Sequence, residues 1–457
     1  MFVKVLSVVF FAIFFSVNAL KIEIKKGGVK PDPIAIVDFF EKGGAPSSSG
    51  SEIASIVGAD LESSGLFVLI DKSSFLESQQ SIAKHGPNIK NWGVLNSRFL
   101  VYGEIGSGLG GFVINFTLID VVTGEKMLSL EVKGPKAKLR YVAHTIADYI
   151  YKRITNEEGY FNTHLIIVET TYDKVSSHRK TRLVLIDQDG YNPRPLTDGD
   201  ELVLTPRYAS DGKSVAYISF NDKGKGVFGK SAHVYLIDPY SKARKLMISE
   251  AWMRKLIKKN NGNPVQMTYA PRFSPNNEEA VLAIIIDGKS AIYKISFVDN
   301  ELIQLTQHTG IDTSPCFSAD GKQIVFTSNR AGREAIWIMN ADGSDPRKIS
   351  SGDGKYSQPI FSPRGDLIAC SKQIGGRFFI VIMKTDGSGE RCIACGYLVE
   401  APCWAPNGRY IVFSKQSGPG AKSHVEVVDI TGHYVRLVKT QGDASHPAWS
   451  PSEPLAR

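Results

Sequence analysis

The residues of this 457-residue chain whose types and spacing can carry chemistry are few: five cysteines, nine histidines and some short glycine-rich or acidic runs. Cys392-Ile393-Ala394-Cys395 has C-x-x-C spacing. A redox pair of this kind needs a helix N-terminus to depress the thiol pKa. This one follows the turn Asp386-Gly387-Ser388-Gly389 in a short apolar stretch, which predicts a strand and no redox role. With Cys316, Cys370 and Cys403 the count is odd and the first 315 residues have none, so the fold cannot rest on a disulfide framework. Gly106-Ser107-Gly108-Leu109-Gly110-Gly111 matches G-x-G-x-x-G, but a strand pattern follows where a dinucleotide site needs a helix, so it reads as a hairpin loop. Asp187-Gln188-Asp189-Gly190 lacks the later ligands of a calcium loop and reads as a turn. No G-x-S-x-G nucleophile elbow occurs. The histidines, including His85, His144, His308 and His446, show no metal spacing, and His144 with Asp148 reads as a surface i,i+4 pair. No catalytic residue, metal ligand or cofactor is therefore expected, although a triad assembled from distant residues stays open.

The elements that position these residues start with a leader. Lys4, the apolar run Val5 to Phe15 and the small residues Val17-Asn18-Ala19 form a signal-peptide pattern over residues 1–19. The run is too short for a spanning helix, which needs about 20 apolar residues. An exported soluble chain starting near Leu20 is expected, and no Cys follows the cleavage site to carry a lipid. Formal charge is +8 with a pI near 9.0. Lys and Arg are scattered, apart from Arg254, Lys255, Lys258 and Lys259, without the stripe a nucleic-acid binder concentrates.

A repeated phrase sets the architecture. It reads Thr205-Pro206-Arg207-Tyr208, Ala270-Pro271-Arg272-Phe273, Ser314-Pro315-Cys316-Phe317, Gln358-Pro359-Ile360-Phe361, Ala401-Pro402-Cys403-Trp404 and His446-Pro447-Ala448-Trp449. The prolines are spaced by 65, 44, 44, 43 and 45 residues, the first gap holding an insertion within 221–264. Turn dipeptides such as Asp320-Gly321 and Asn407-Gly408 usually follow. Around Pro315, Gln323–Thr327, Ala335–Met339 and Arg347–Ser350 complete a set of four short strands. Four antiparallel strands per repeat of this length is a β-propeller blade. The last phrase, taken as Pro447 to Ser450, has seven residues after it, and three strands without a first one (Leu165–Val168, Leu183–Ile186, Arg194–Thr197) precede the repeats. Five whole cassettes and one split cassette predict a six-bladed ring over 165–457, with split-blade closure.

Residues 20–155 do not repeat. Strand patterns at Pro33–Phe39, Leu66–Ile70, Phe99–Ile105, Phe112–Val121 and Met127–Val132 join two amphipathic helices. One starts with capping-box spacing at Ser49 and Glu52 and ends at Gly65. The other carries Leu139, Val142, Ile146 and Ile150. This predicts a small α/β N-terminal domain, tied by 156–164 to the all-β six-bladed propeller.

In this order the residues resemble the TolB family of the Tol–Pal envelope system. The resemblance rests on Lys21-Ile22-Glu23-Ile24, Pro33-Ile34-Ala35-Ile36, Ser64-Gly65-Leu66-Phe67, Leu139-Arg140-Tyr141-Val142-Ala143-His144, Asn156 to Phe161 and Pro447-Ala448-Trp449-Ser450-Pro451. It implies a non-enzymatic periplasmic monomer that supports outer-membrane integrity and envelope constriction at division. Such a scaffold binds the lipoprotein Pal on the propeller face, without nucleic acid or membrane insertion. The resemblance further implies that the mature tail Leu20, Lys21, Ile22, Glu23, Ile24 and Lys25 binds the TolA C-terminal domain. Its alternation of apolar and charged residues suits addition as an edge strand. For Pal, Thr313 matches a family Thr at the funnel mouth. Met267, Thr268 and Tyr269 stand where members carry a His-Asn-Gly run, a departure from the family pattern. Repeat equivalence adds Arg207, Arg272, Ser357, Glu400 and His446. The competing expectation is an exported propeller enzyme or small-ligand carrier that uses the funnel.

Overall fold

Alternation of apolar residues along Asp32–Ile36 buries both faces of the sheet it joins. Ile34 and Ile36 enter one core, and Ala35 and Val37 another. The computed structural model describes residues 30–452 apart from 109–110, 173–178, 221–231, 249, 260–264, 268–270, 287 and 308–309. Asp32–Ile36 runs parallel between Phe67–Leu69 and Phe99–Gly108. The sheet continues antiparallel through Gly111–Asp120 and Lys126–Pro135. Helices Ser48–Ser63 and Leu139–Thr155 cover one face. The short helices Gln79–His85 and Ile89–Val94, which the sequence pattern does not reveal, cover the other through Ile82 and Trp92.

The first helix begins earlier than the capping-box spacing suggests. Ser47 is its N-cap, with Oγ accepting from Gly50 N at 3.4 Å. Gly50 sets this start, because a Cβ there would lie 1.9 Å from the Phe39 carbonyl oxygen.

The propeller consists of six sheets, five of four strands and one whose inner edge is two short pieces. Blade 1 is the split one: Asp443–Trp449 pairs antiparallel with His164–Tyr172, followed outward by Arg179–Asp187 and Arg194–Pro195. Blades 2 to 6 begin on the inner strands Leu202–Tyr208, Val265–Met267 with Arg272–Phe273, Asp312–Phe317, Lys355–Phe361 and Leu398–Trp404.

The repeated phrase has a backbone cause. Thr205, Ser314, Gln358, Ala401 and His446, each just before a proline, have φ between +49° and +54°. In each of these strands the register slips there, two residues facing one. Each phrase is thus a β-bulge, and the following proline does not cost a ladder bond at a position the bulge already leaves unpaired.

Part of the 221–264 insertion is the helix Glu250–Lys259. Its buried Leu256 packs, with Trp252 and Ile257, among residues of blades 2 and 3. Arg254 and Lys258 face outward.

The connection 156–164 is packed between the two lobes. Tyr160 and Phe161 are fully buried against Tyr151, Tyr410 and Trp449. Glu157 joins Arg364 and Arg409 of blades 5 and 6 at 3.1 and 3.5 Å. One apolar core runs from Ile34 through Tyr160 to Val427 and Trp449.

Candidate functional site

Six bulged or broken inner strands converge on the propeller axis, and the bulges decide which side chains meet there. The positions flagged in sequence fall at three levels. Thr313, Ser357 and Glu400 lie two residues before the proline, His446 one before it, and Arg207 and Arg272 one after. Ser357 is exposed, Thr313 and Glu400 half-buried, and Arg207 buried at 6% exposure. Met267 lies on the strand paired to Ile284, whereas Thr268 and Tyr269 fall outside the described residues. So does the tail Leu20 to Lys25 together with the leader.

A narrow cavity shows which of them come together. Its wall is Arg207 of blade 2, Arg272, Leu282 and Ala283 of blade 3, Ser314 and Pro315 of blade 4, and Gln358 of blade 5. Blades 2 and 5 are opposite in the ring, so the cavity lies on the axis. Sequence reasoning found the two arginines but missed Ser314 and Gln358. The signal was available, because both hold the residue before the repeat proline.

Charge is uneven around this axis. Burial, then Arg207 and Arg179, pushes the His446 imidazole down to about 4, so it is neutral at physiological pH. Its Nδ1 lies 3.1 Å from Ser445 Oγ, and Ser414 Oγ accepts from its backbone N–H at 2.8 Å. Burial raises the Glu400 carboxyl above its ordinary value.

A second polar cluster sits between the lobes. His144 and Asp148 are not the surface pair their spacing suggests: both are buried and each points to a different partner. The i,i+4 rule places them on one face of the helix, and tertiary packing buries that face. Asp148 accepts from the N–H groups of Phe161 and Asn162 at 2.8 and 3.1 Å. His144 Nδ1 meets Asp60 Oδ2 at 2.6 Å. Burial pushes the imidazole down, but the Asp60 carboxylate outweighs it and the net shift is upward. Arg140 bonds Asp187 at 3.1 Å and also Asp189, while Gln188 Nε2 donates to Asp60 Oδ1 at 3.3 Å. His144, Asp187 and Asp189 bring potential metal-ligating atoms within 4.8 Å of one another. The Arg140 guanidinium already supplies the positive charge those carboxylates need, so the cluster is an interdomain ion-pair seam. The backbone of Asp187–Gly190 is a turn, closed by Gly190 N–H on the Asp187 carbonyl.

The five cysteines carry free thiols, and Cys392 and Cys395 lie on the outer strand Arg391–Gly396. Among the described residues no helix is long and apolar enough to cross a membrane.

Comparison with known proteins agrees with this architecture. Residues 151–453 match the family described as TolB beta propeller domain, and residues 20–127 match the TolB amino-terminal domain. A Tol-Pal system protein TolB from Paramagnetospirillum magneticum is 41% identical over 202 residues, a match spanning 44% of this chain and 44% of that protein. The chain thus covers less than half the length of that relative. The crystal structure of TolB from Acinetobacter baumannii has the same fold, with a TM-score of 0.77 at 22% identity, covering 93% of this chain and 97% of that one. With both families matched in sequence order on an α/β lobe and a six-bladed ring closed by its last strand, the chain belongs to the TolB family.

Proposed function

We propose that the protein is a periplasmic scaffold that binds Pal at the axial face of the propeller and TolA through Leu20 to Lys25. By this division it supports outer-membrane integrity and envelope constriction at division. The leader pattern over residues 1–19 underlies the periplasmic assignment. The observation that carries the propeller half is the convergence of Arg207, Arg272, Ser314 and Gln358 from four blades at one axial cavity. His446 holds the same repeat position as Ser314 and Gln358, Thr313, Ser357 and Glu400 stand one residue earlier in their blades, and Met267 to Tyr269 precede Arg272 by a few residues. Support for the tail half is its alternating pattern, which suits strand addition to a partner.

The test separates the two surfaces. Deleting Leu20 to Lys26 is expected to abolish TolA binding and leave Pal binding intact. Arg272→Glu is expected to do the reverse, because a mispaired charge at an interface costs several kcal/mol. Titrating each partner with and without the other measures coupling, which must be equal in both directions. Loss of Pal binding on tail deletion, or TolA binding by the propeller alone, overturns this division.

A further inference from the structure

Cys392 and Cys395 of blade 5 have no part in the scaffold reading. In a regular strand, residues three apart point to opposite faces and their Cα atoms lie about 10 Å apart. Arg391–Gly396 is not regular. Cys392 pairs with Val381, Ala394 with Ile380 and Cys395 with Phe379, so Ile393 is the extra residue of a β-bulge. The core contacts follow this register. Ile393 and Ala394 pack in the core shared by blades 5 and 6. Val381 and Phe379, opposite the two cysteines, pack in the core shared by blades 4 and 5. Residues directly opposite in an antiparallel pair share a face, so the bulge brings Cys392 and Cys395 to the same face as neighbours.

Their spacing decides what the pair can hold. Phe379 and Val381 are two positions apart, about 6.6 Å along a strand that rises roughly 3.3 Å per residue. The facing cysteines are held at a similar separation with side chains roughly parallel. A disulfide needs Cβ atoms about 3.5–4.5 Å apart, and both thiols are free and exposed. An ion between two thiolates asks for less. At about 2.3 Å per metal–sulfur bond, the sulfurs of a linear unit stand about 4.6 Å apart, within reach of two side chains turning about χ1. The Cys392 thiol donates to the Ala394 carbonyl at 3.3 Å, so its sulfur already leans along the strand towards Cys395. Glu390, two residues before Cys392, is engaged by the Tyr356 hydroxyl at 2.7 Å and the Lys372 ammonium at 2.6 Å. Among the described residues no third His, Cys, Asp or Glu gathers with the pair as a ligand.

We infer that Cys392 and Cys395 form a two-coordinate thiolate site for a soft monovalent metal ion, copper(I). Thiolates favour copper(I) and zinc among the common ions. Zinc closes its structural sites with four ligands, whereas the bulge gathers two, which suits linear copper(I). Binding converts two thiols and one copper(I) into a bis-thiolate copper anion and two protons, with no change of oxidation state. Partial desolvation, and then the Cys395 sulfur beside it, raises the Cys392 thiol above its ordinary value, so its proton is present at neutral pH and leaves when the metal arrives. The site lies on the outer strand of blade 5, away from the axis, and does not rest on the binding of Pal or TolA.

The test is anaerobic transfer of copper(I) from its bicinchoninate complex to the purified, reduced protein, followed by loss of the chelator's colour. One copper(I) per chain is expected, with release of protons read by a pH indicator. Cys392→Ser and Cys395→Ser are near-isosteric changes at exposed positions, and circular dichroism melts establish that both variants fold. Each is expected to weaken copper(I) binding about a hundredfold or more, because losing one of two linked ligands forfeits the gain from linkage. Cys316→Ser, on the inner strand of blade 4, is expected to leave binding unchanged. Zinc(II) at equal concentration is expected not to displace the copper. No transfer from the chelator, equal transfer to the folded Cys392→Ser variant, or displacement by zinc overturns the inference. So does a disulfide between these two cysteines, read by thiol counting on unfolded, unreduced protein.

Discussion

Burial pushes the Asp148 carboxyl up to about 7, although the N–H groups of Phe161 and Asn162 pull it down. In the unfolded chain the same group ionises near its ordinary value of 3.8. Between about pH 4 and 7 the folded protein therefore keeps a proton that the unfolded chain has released. Stability from this group is fully present below about pH 4 and is lost as pH rises through 7, with a slope of at most about 1.4 kcal/mol per pH unit. Asp148→Asn cannot ionise and is expected to flatten that part of the profile. Urea denaturation of both proteins from about pH 4.5 to 7.5 checks this, and parallel profiles would assign the dependence to other groups.

At the level of elements, the end of the first helix is where the two lobes lock. Tyr410 and Tyr434 of blade 6 donate their hydroxyls to the carbonyls of Ser64 and Glu62 at 2.8 and 3.2 Å, the Glu62 carbonyl also accepting from Gly65 N–H at 2.9 Å. Gly65 turns the chain away at φ +72°, and a Cβ there would lie 2.4 Å from the Tyr434 ring. Gly65→Ala is expected to cost about 1–3 kcal/mol through strain and clash combined, read as a lowered Tm. Tyr434→Phe removes only a hydrogen bond and is expected to cost about 0.5–1.5 kcal/mol. These contacts also show how far the sequence could be read. The blades were legible because each bulge needs the same proline and following aromatic residue. Helix Leu139–Thr155 was legible from its 3.6-residue apolar period. Its seam with the propeller was not, because Arg140 meets Asp187 and Tyr410 meets Ser64 across 47 and 346 positions, beyond any local pattern. The helices at 79–94 are six and seven residues long, too short for a period to emerge. At the axis the arginines stood out by type, whereas Ser314 and Gln358 carry no charge and are marked only by standing before the repeat proline.

For the whole molecule, closure depends on Asp443–Trp449. This strand completes blade 1, places Trp449 in the core that both lobes share and lets its indole N–H donate to Thr163 Oγ1 at 2.8 Å. Removing Pro447 to Arg457 opens both edges of the ring. Thermal unfolding followed by circular dichroism is expected to lose its cooperative transition, whereas an unchanged sharp transition would mean the ring does not depend on this strand.

The same arrangement has a consequence in time. During synthesis the outer three strands of blade 1 are complete by Pro195, yet their innermost neighbour is made about 250 residues later. At about 5–20 residues per second the wait is roughly ten to fifty seconds. Throughout it His164–Tyr172 offers an unpaired edge to any extended chain nearby. Until the closing strand arrives the nascent protein needs shielding, and a chain broken off early keeps that adhesive edge for good. Ring closure therefore waits on the last-made strand of the ring.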